Sequence, residues 1–81
     1  MIHVSMDEIK RLVSLQLGTR EVNDDSLLVE DLNAESADLV NLVLVLEEKY
    51  QIVVKESEIA KIKTPADLYN LVEMKLGNNH I

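Results

Sequence analysis

Apolar residues recur at helical spacing in three separate runs of this chain, each bounded by start and stop signals. Ile9, Leu12, Val13 and Leu17 form the first run. Leu39, Leu42, Val43, Leu46 and Tyr50 form the second, and Leu68, Leu71, Val72 and Leu76 the third. Steps of three and four place each set on one face of a helix. Such a stripe must be buried against another element, so the three faces are expected to meet in one core.

The boundaries follow from the punctuation. Ser5 and Glu8 read as a capping box, and Gly18 as a stop, for a helix over 6–17. The second helix spans 36–50. Val40, Leu44 and Val45 widen its apolar zone, so part of its outer face is expected to be apolar too. Its three valines lower helix propensity and leave a buried strand at Leu42–Leu46 as a competitor, which the length of the run disfavours. Thr64, Pro65 and Asp67 open the last helix as cap, first residue and first-turn acid, and Gly77 reads as its stop before the tail Asn78–Ile81. Glu56–Ile62 reads as a short helix with Ile59 and Ile62 inward. Gln51–Val54 has strand composition but no partner of matching length, so it reads as a connector. Residues 18–35 hold no sustained period. Asn23-Asp24-Asp25-Ser26 is turn chemistry, Val22, Leu27, Leu28 and Leu32 pin the segment to the core, and Leu27–Val29 has room for a short helical turn. The fold expected is all-α: a single 1–81 domain, a four-helix bundle with one long crossover between the first two helices and a short third helix.

Composition narrows the possible functions. Tyr50 and Tyr69 are the two aromatic residues, so the core is aliphatic. Cysteine is absent, which removes disulfides, thiolate metal sites and a cysteine nucleophile. Of the net charge of −7, the middle of the chain carries essentially all: residues 23–60 hold ten acids and two bases. Nucleic acid and anionic membranes need clustered Lys and Arg, so both are disfavoured, and a partner with a basic surface fits. No apolar run reaches the roughly 20 residues that span a membrane, and Met1–Met6 does not read as a signal peptide. The protein is expected to be a cytoplasmic monomer.

Catalytic machinery is hard to find. His3 and His80 lie near the termini with no ligand spacing around them. Both glycines read as helix stops, so there is no phosphate-binding loop. The pairs Asp24/Asp25, Glu30/Asp31 and Glu47/Glu48 are sequence neighbours, which form solvated faces more often than acid/base dyads. No base accompanies a nucleophile, and the chain is not expected to be an enzyme. Ser36 stands out instead. It lies where the acidic stretch gives way to the second helix, and a helix start favours an attached anion. A serine there is also the commonest N-cap, and the residues alone leave both roles open.

The segment Val29-Glu30-Asp31-Leu32-Asn33-Ala34-Glu35-Ser36 resembles the approach to the phosphopantetheine serine of the acyl carrier protein family. Asp38, Val40, Leu42 and Leu46-Glu47-Glu48 continue the likeness, with Tyr50, Ile62, Thr64 and Gln16-Leu17-Gly18 in matching places. The resemblance implies 4′-phosphopantetheine held covalently on Ser36 and acyl groups carried on its thiol. The pathway is then fatty acid, polyketide or related specialised biosynthesis. Implied partners are a phosphopantetheinyl transferase and acyl-transferring or synthase enzymes with basic docking surfaces. The implied docking face is Glu35, Ala37, Asp38, Val40, Asn41, Leu44, Glu47 and Glu48. Candidates for an acyl pocket are Leu39, Val43, Leu46, Ile62, Leu68, Leu71 and Val72, which are first a bundle core. The same arm also suits aminoacyl or peptidyl cargo, and an unmodified interaction module is the other alternative. Three departures stand out. Glu35-Ser36-Ala37 replaces the family's Asp-Ser-Leu, Asn33 occupies a common glycine position, and Asn41 replaces a commonly acidic one. Asn33 suits a left-handed backbone, and Ala37 removes most of an apolar contact, which points to a dedicated partner enzyme.

Overall fold

The computed structural model describes residues 3–78. Among the described residues four helices make up the framework: α1 Met6–Leu17, α2 Ser36–Tyr50, α3 Glu56–Ile59 and α4 Pro65–Asn78. Helix α1 packs against α2 and α4, and α2 also touches α3. No strand forms among the described residues, so Leu42–Leu46 is helical and Gln51–Val54 is a connector. Ile9, Val13, Leu42, Leu46, Leu68 and Val72 are fully buried between the three long helices. The three residues expected to widen the apolar zone onto the outer face do so, with Leu44 55%, Val40 45% and Val45 42% exposed.

Each helix end shows how local chemistry sets the boundaries. Ser5 Oγ accepts the Glu8 N–H at 3.1 Å. The reciprocal half of the expected capping box is not among the bonds found. The Glu8 carboxylate instead reaches Lys49 at 2.8 Å and ties the start of α1 to the end of α2. Gly18 ends α1 at φ 67, where its N–H and that of Thr19 both return to the Ser14 carbonyl. That backbone favours glycine, as the sequence reading assumed. At the start of α4, Asp67 N–H donates to Thr64 Oγ1, while Asp67 Oδ2 accepts from the N–H of both Thr64 and Lys63.

Two boundaries differ from the sequence reading. Helix α3 ends at Ile59 rather than Ile62, because the next bonds tighten: Lys61 and Ile62 donate to Glu58 and Ile59, three residues back. Helix α4 runs through Gly77 to Asn78. Gly77 lacks the positive φ that makes glycine a stop at Gly18, so only its weak helix propensity remains. The tail beyond Asn78 lies outside the described residues.

The crossover is long but firmly held. Leu28 is fully buried, its N–H donates to the Lys63 carbonyl at 2.9 Å, and Ala66 N–H donates to the Asp24 carbonyl at 2.9 Å. Around Leu27–Leu32 the chain makes one helical turn: Asp31 N–H returns to the Leu27 carbonyl and Asn33 N–H to the Val29 carbonyl. Asp31 Oδ2 caps that turn by accepting the Leu27 N–H at 3.0 Å. Asn33 then takes φ 59, and Ala34 N–H folds back to the Leu28 carbonyl at 2.8 Å. The residue placed where a glycine is common thus does adopt the left-handed conformation, for which Asn is among the best-suited non-glycine residues. This reversal aims the chain into α2.

Candidate functional site

Ser36 is the first residue of α2, and the N-cap is Glu35, with extended backbone at φ −97 and ψ 168. The capping role that competed for this serine therefore falls to its neighbour. Glu35 N–H donates to Asp38 Oδ2 at 2.9 Å, which fixes the entry of the chain into the helix. Ser36 is exposed, and its hydroxyl takes part in none of the side-chain hydrogen bonds found among the described residues. The first-turn N–H groups of Ser36 and Ala37 lie at the positive end of the helix dipole. A hydroxyl so placed is open to an enzyme, and the helix start stabilises an anion attached to it.

Beside Ser36 lies a half-open groove of about 390 Å³, lined by Val29, Glu30, Ser36, Leu39, Val40, Glu56, Ile59, Ala60, Ile62 and Lys63. Its walls come from the crossover turn, the outer side of α2, and α3 with the bend after it. Of the seven acyl-pocket candidates, Leu39 and Ile62 line this groove. Val43, Leu46, Leu68 and Val72 are sealed in the core, and Leu71 faces a separate cleft with Met74 between α3 and α4. Ile59, noted in the sequence only as facing inward, and Val29, Ala60 and Lys63 are wall residues that sequence reasoning missed. Helical spacing identifies faces within one element, whereas this wall forms where three elements meet.

The proposed docking residues divide by what they touch. Ala37, Val40, Asn41, Leu44 and Glu48 are exposed along the outer face of α2, and Glu35 is exposed at its start. Asp38 is occupied as the partner of the Glu35 N–H. Glu47 is half-buried, and its Oε2 accepts the Val54 N–H at 2.8 Å, fastening the connector after α2. His3 lies exposed ahead of α1, and His80 lies outside the described residues. Among the described residues no three His, Asp or Glu side chains gather as a metal site, and no helix is long and apolar enough to cross a membrane.

Residues 7–72 match the family described as the phosphopantetheine attachment site. The chain belongs to the acyl carrier protein family. An acyl carrier protein of Wolinella succinogenes is 44% identical over 69 residues, covering 83% of this chain and 91% of the relative. One from Chlamydia felis is 37% identical over 73 residues, covering 88% of this chain and 94% of the relative. The crystal structure of an acyl carrier protein from Thermotoga maritima superposes with a TM-score of 0.77 at 25% identity, covering 91% of this chain and 88% of that one. The carrier's family is thus defined by a covalent phosphopantetheine. An exposed serine hydroxyl with no competing bond at a helix start fits that group.

Proposed function

We propose that Ser36 is the attachment serine of this carrier and that the chain acts by delivery, without catalysis of its own. The observation that carries the assignment is the position of Ser36: first in α2, exposed, and released from capping by Glu35. In the attachment step, Ser36 Oγ bonds to the phosphorus of coenzyme A that bears the pantetheine. The diphosphate bond breaks, adenosine 3′,5′-bisphosphate leaves, and the transferase accepts the hydroxyl proton. The bound group supplies a thiol that carries acyl units as thioesters, which accounts for a thiol carrier without cysteine.

The carrier's own residues do the rest. The dipole of α2 stabilises the phosphodiester. The apolar groove walls Val29, Leu39, Val40, Ile59 and Ile62 offer shelter to an aliphatic cargo next to the attachment point. On the outer face, Ala37, Val40 and Leu44 form an apolar strip flanked by Glu35 and Glu48, suited to enzymes with basic docking surfaces. Because Ala37 and Asn41 make this strip smaller and less acidic than the family pattern, we read the partner as a dedicated transferase or synthase in fatty acid, polyketide or related biosynthesis.

Intact-mass measurement after incubation with coenzyme A and a broad-specificity phosphopantetheinyl transferase tests the attachment. One phosphopantetheine adduct is expected on the wild type and none on Ser36→Ala. An adduct that persists in Ser36→Ala, or no adduct on the wild type with several transferases, overturns the assignment.

A further inference from the structure

We propose that Lys63 is the counter-cation of the phosphodiester carried by Ser36, a positioning residue for the arm; this rests on the attachment reading above. Ser36 and Lys63 line the same groove, and Lys63 is the one cationic residue in its lining, which also includes Glu30 and Glu56. The Lys63 backbone is held on both sides. Its carbonyl accepts the Leu28 N–H at 2.9 Å, and its N–H donates to Asp67 Oδ2 at 2.9 Å. The crossover turn that delivers Ser36 is therefore hydrogen-bonded directly to the residue that bears this ammonium group.

The charge balance gives the ammonium a task. Attachment adds a negative charge at a helix start already flanked by Glu35 and Asp38, in a chain of net charge −7. Lys10, Lys49 and Lys75 are each spent on a carboxylate, at 2.9, 2.8 and 2.9 Å. Among the described residues Lys63 has no carboxylate within ion-pair distance, although two share its groove, so its charge is available to a new anion there. A tethered phosphodiester, anionic at every working pH, is the anion that modification brings to this groove. Pairing would hold the first part of the arm along the groove instead of letting it swing free.

The test uses the apo and holo forms of the wild type, Lys63→Gln and Lys63→Arg, with the holo state verified by intact mass. The phosphorus NMR resonance of the holo protein is expected to move in Lys63→Gln and to stay near its wild-type position in Lys63→Arg. At low salt, Lys63→Gln is expected to lower the Tm of the holo protein by about 2–4 °C more than that of the apo protein. That extra loss should disappear near 1 M salt. An unmoved phosphorus resonance, together with equal Tm losses in apo and holo protein, overturns the proposal. If no form takes the adduct, the attachment reading fails first and this inference falls with it, an outcome that the mass measurement separates from the NMR result.

Discussion

Asn33 offers a sharp test of how the crossover positions the site. Its backbone, three residues before Ser36, sits at φ 59, and the reversal it makes lets Ala34 N–H reach the Leu28 carbonyl at 2.8 Å. For an ordinary L-residue this region costs about 1–2 kcal/mol, with Asn at the favourable end and β-branched residues at the other. Asn33→Val should therefore destabilise the apo protein by about 1–2 kcal/mol, which in a domain of this size is a Tm loss of about 5–15 °C. Asn33→Ala should lose less, about 0.5–1 kcal/mol. Asn33→Gly removes the steric cost but gives the unfolded chain more freedom, so it should fall within about 0.5–1 kcal/mol of the wild type. The exposed side chain leaves little packing to complicate the series. Thermal and urea unfolding followed by circular dichroism give the order. Amide exchange at Ala34 then reports on the turn itself, with faster exchange expected in Asn33→Val. A valine variant as stable as the wild type, or a glycine variant less stable than the valine one, would refute the left-handed turn as the device that orients α2.

Two further outcomes follow from other helix ends. Gln51 closes α2 at φ 55, with its N–H and that of Ile52 returning to the Glu47 carbonyl, so Gln51→Gly should raise stability by about 0.3–1 kcal/mol after loss of the exposed bond from Gln51 Nε2 to the Glu48 carbonyl. A lower urea midpoint for Gln51→Gly would count against that geometry. The Glu58 carboxyl is held below its ordinary 4.5 first by the Lys55 N–H and then by the Lys75 ammonium. Its stabilisation is thus present above that ordinary value and lost as pH falls through the lower folded value. Glu58→Gln should therefore lower Tm at neutral pH and flatten the acid limb of the Tm-versus-pH curve below about pH 4.5. An acid limb as steep as the wild type's would show that Glu58 is not a source of it.

The framework was legible because its signals are local. A three- and four-residue period marks each long helix, and Thr64-Pro65 and Gly18 mark two boundaries by steric rules that act within a few residues. The misreadings share a cause. Glu8 was expected to return to the start of its own helix, yet Lys49, 41 positions away in sequence, takes its carboxylate. The same uncertainty hid Gln51, because nothing about glutamine announces a left-handed cap. That conformation is imposed where Ile52, a buried residue, must turn into the core directly after α2. Gly77 is the converse case, a residue with the chemistry of a stop in a backbone that does not require one.

The site divides along the same line. Ser36 and the outer face of α2 belong to one helix, so spacing and resemblance located them together. The groove does not belong to any one element: Val29 comes from the crossover, Leu39 from α2, and Ile59 and Lys63 from either side of the bend after α3. What joins these parts is the bond between the Leu28 N–H and the Lys63 carbonyl, made by a leucine with no exposed surface. The crossover therefore has two connected tasks. Its Leu28 end seats the loop in the core beside Lys63, and its Asn33 end turns the chain into α2 at Ser36. A change that loosens either end should disturb the serine and the groove together, since both are referenced to the same helical turn. This makes the long loop, the part of the chain with the weakest sequence pattern, the element that gives the attachment serine its surroundings.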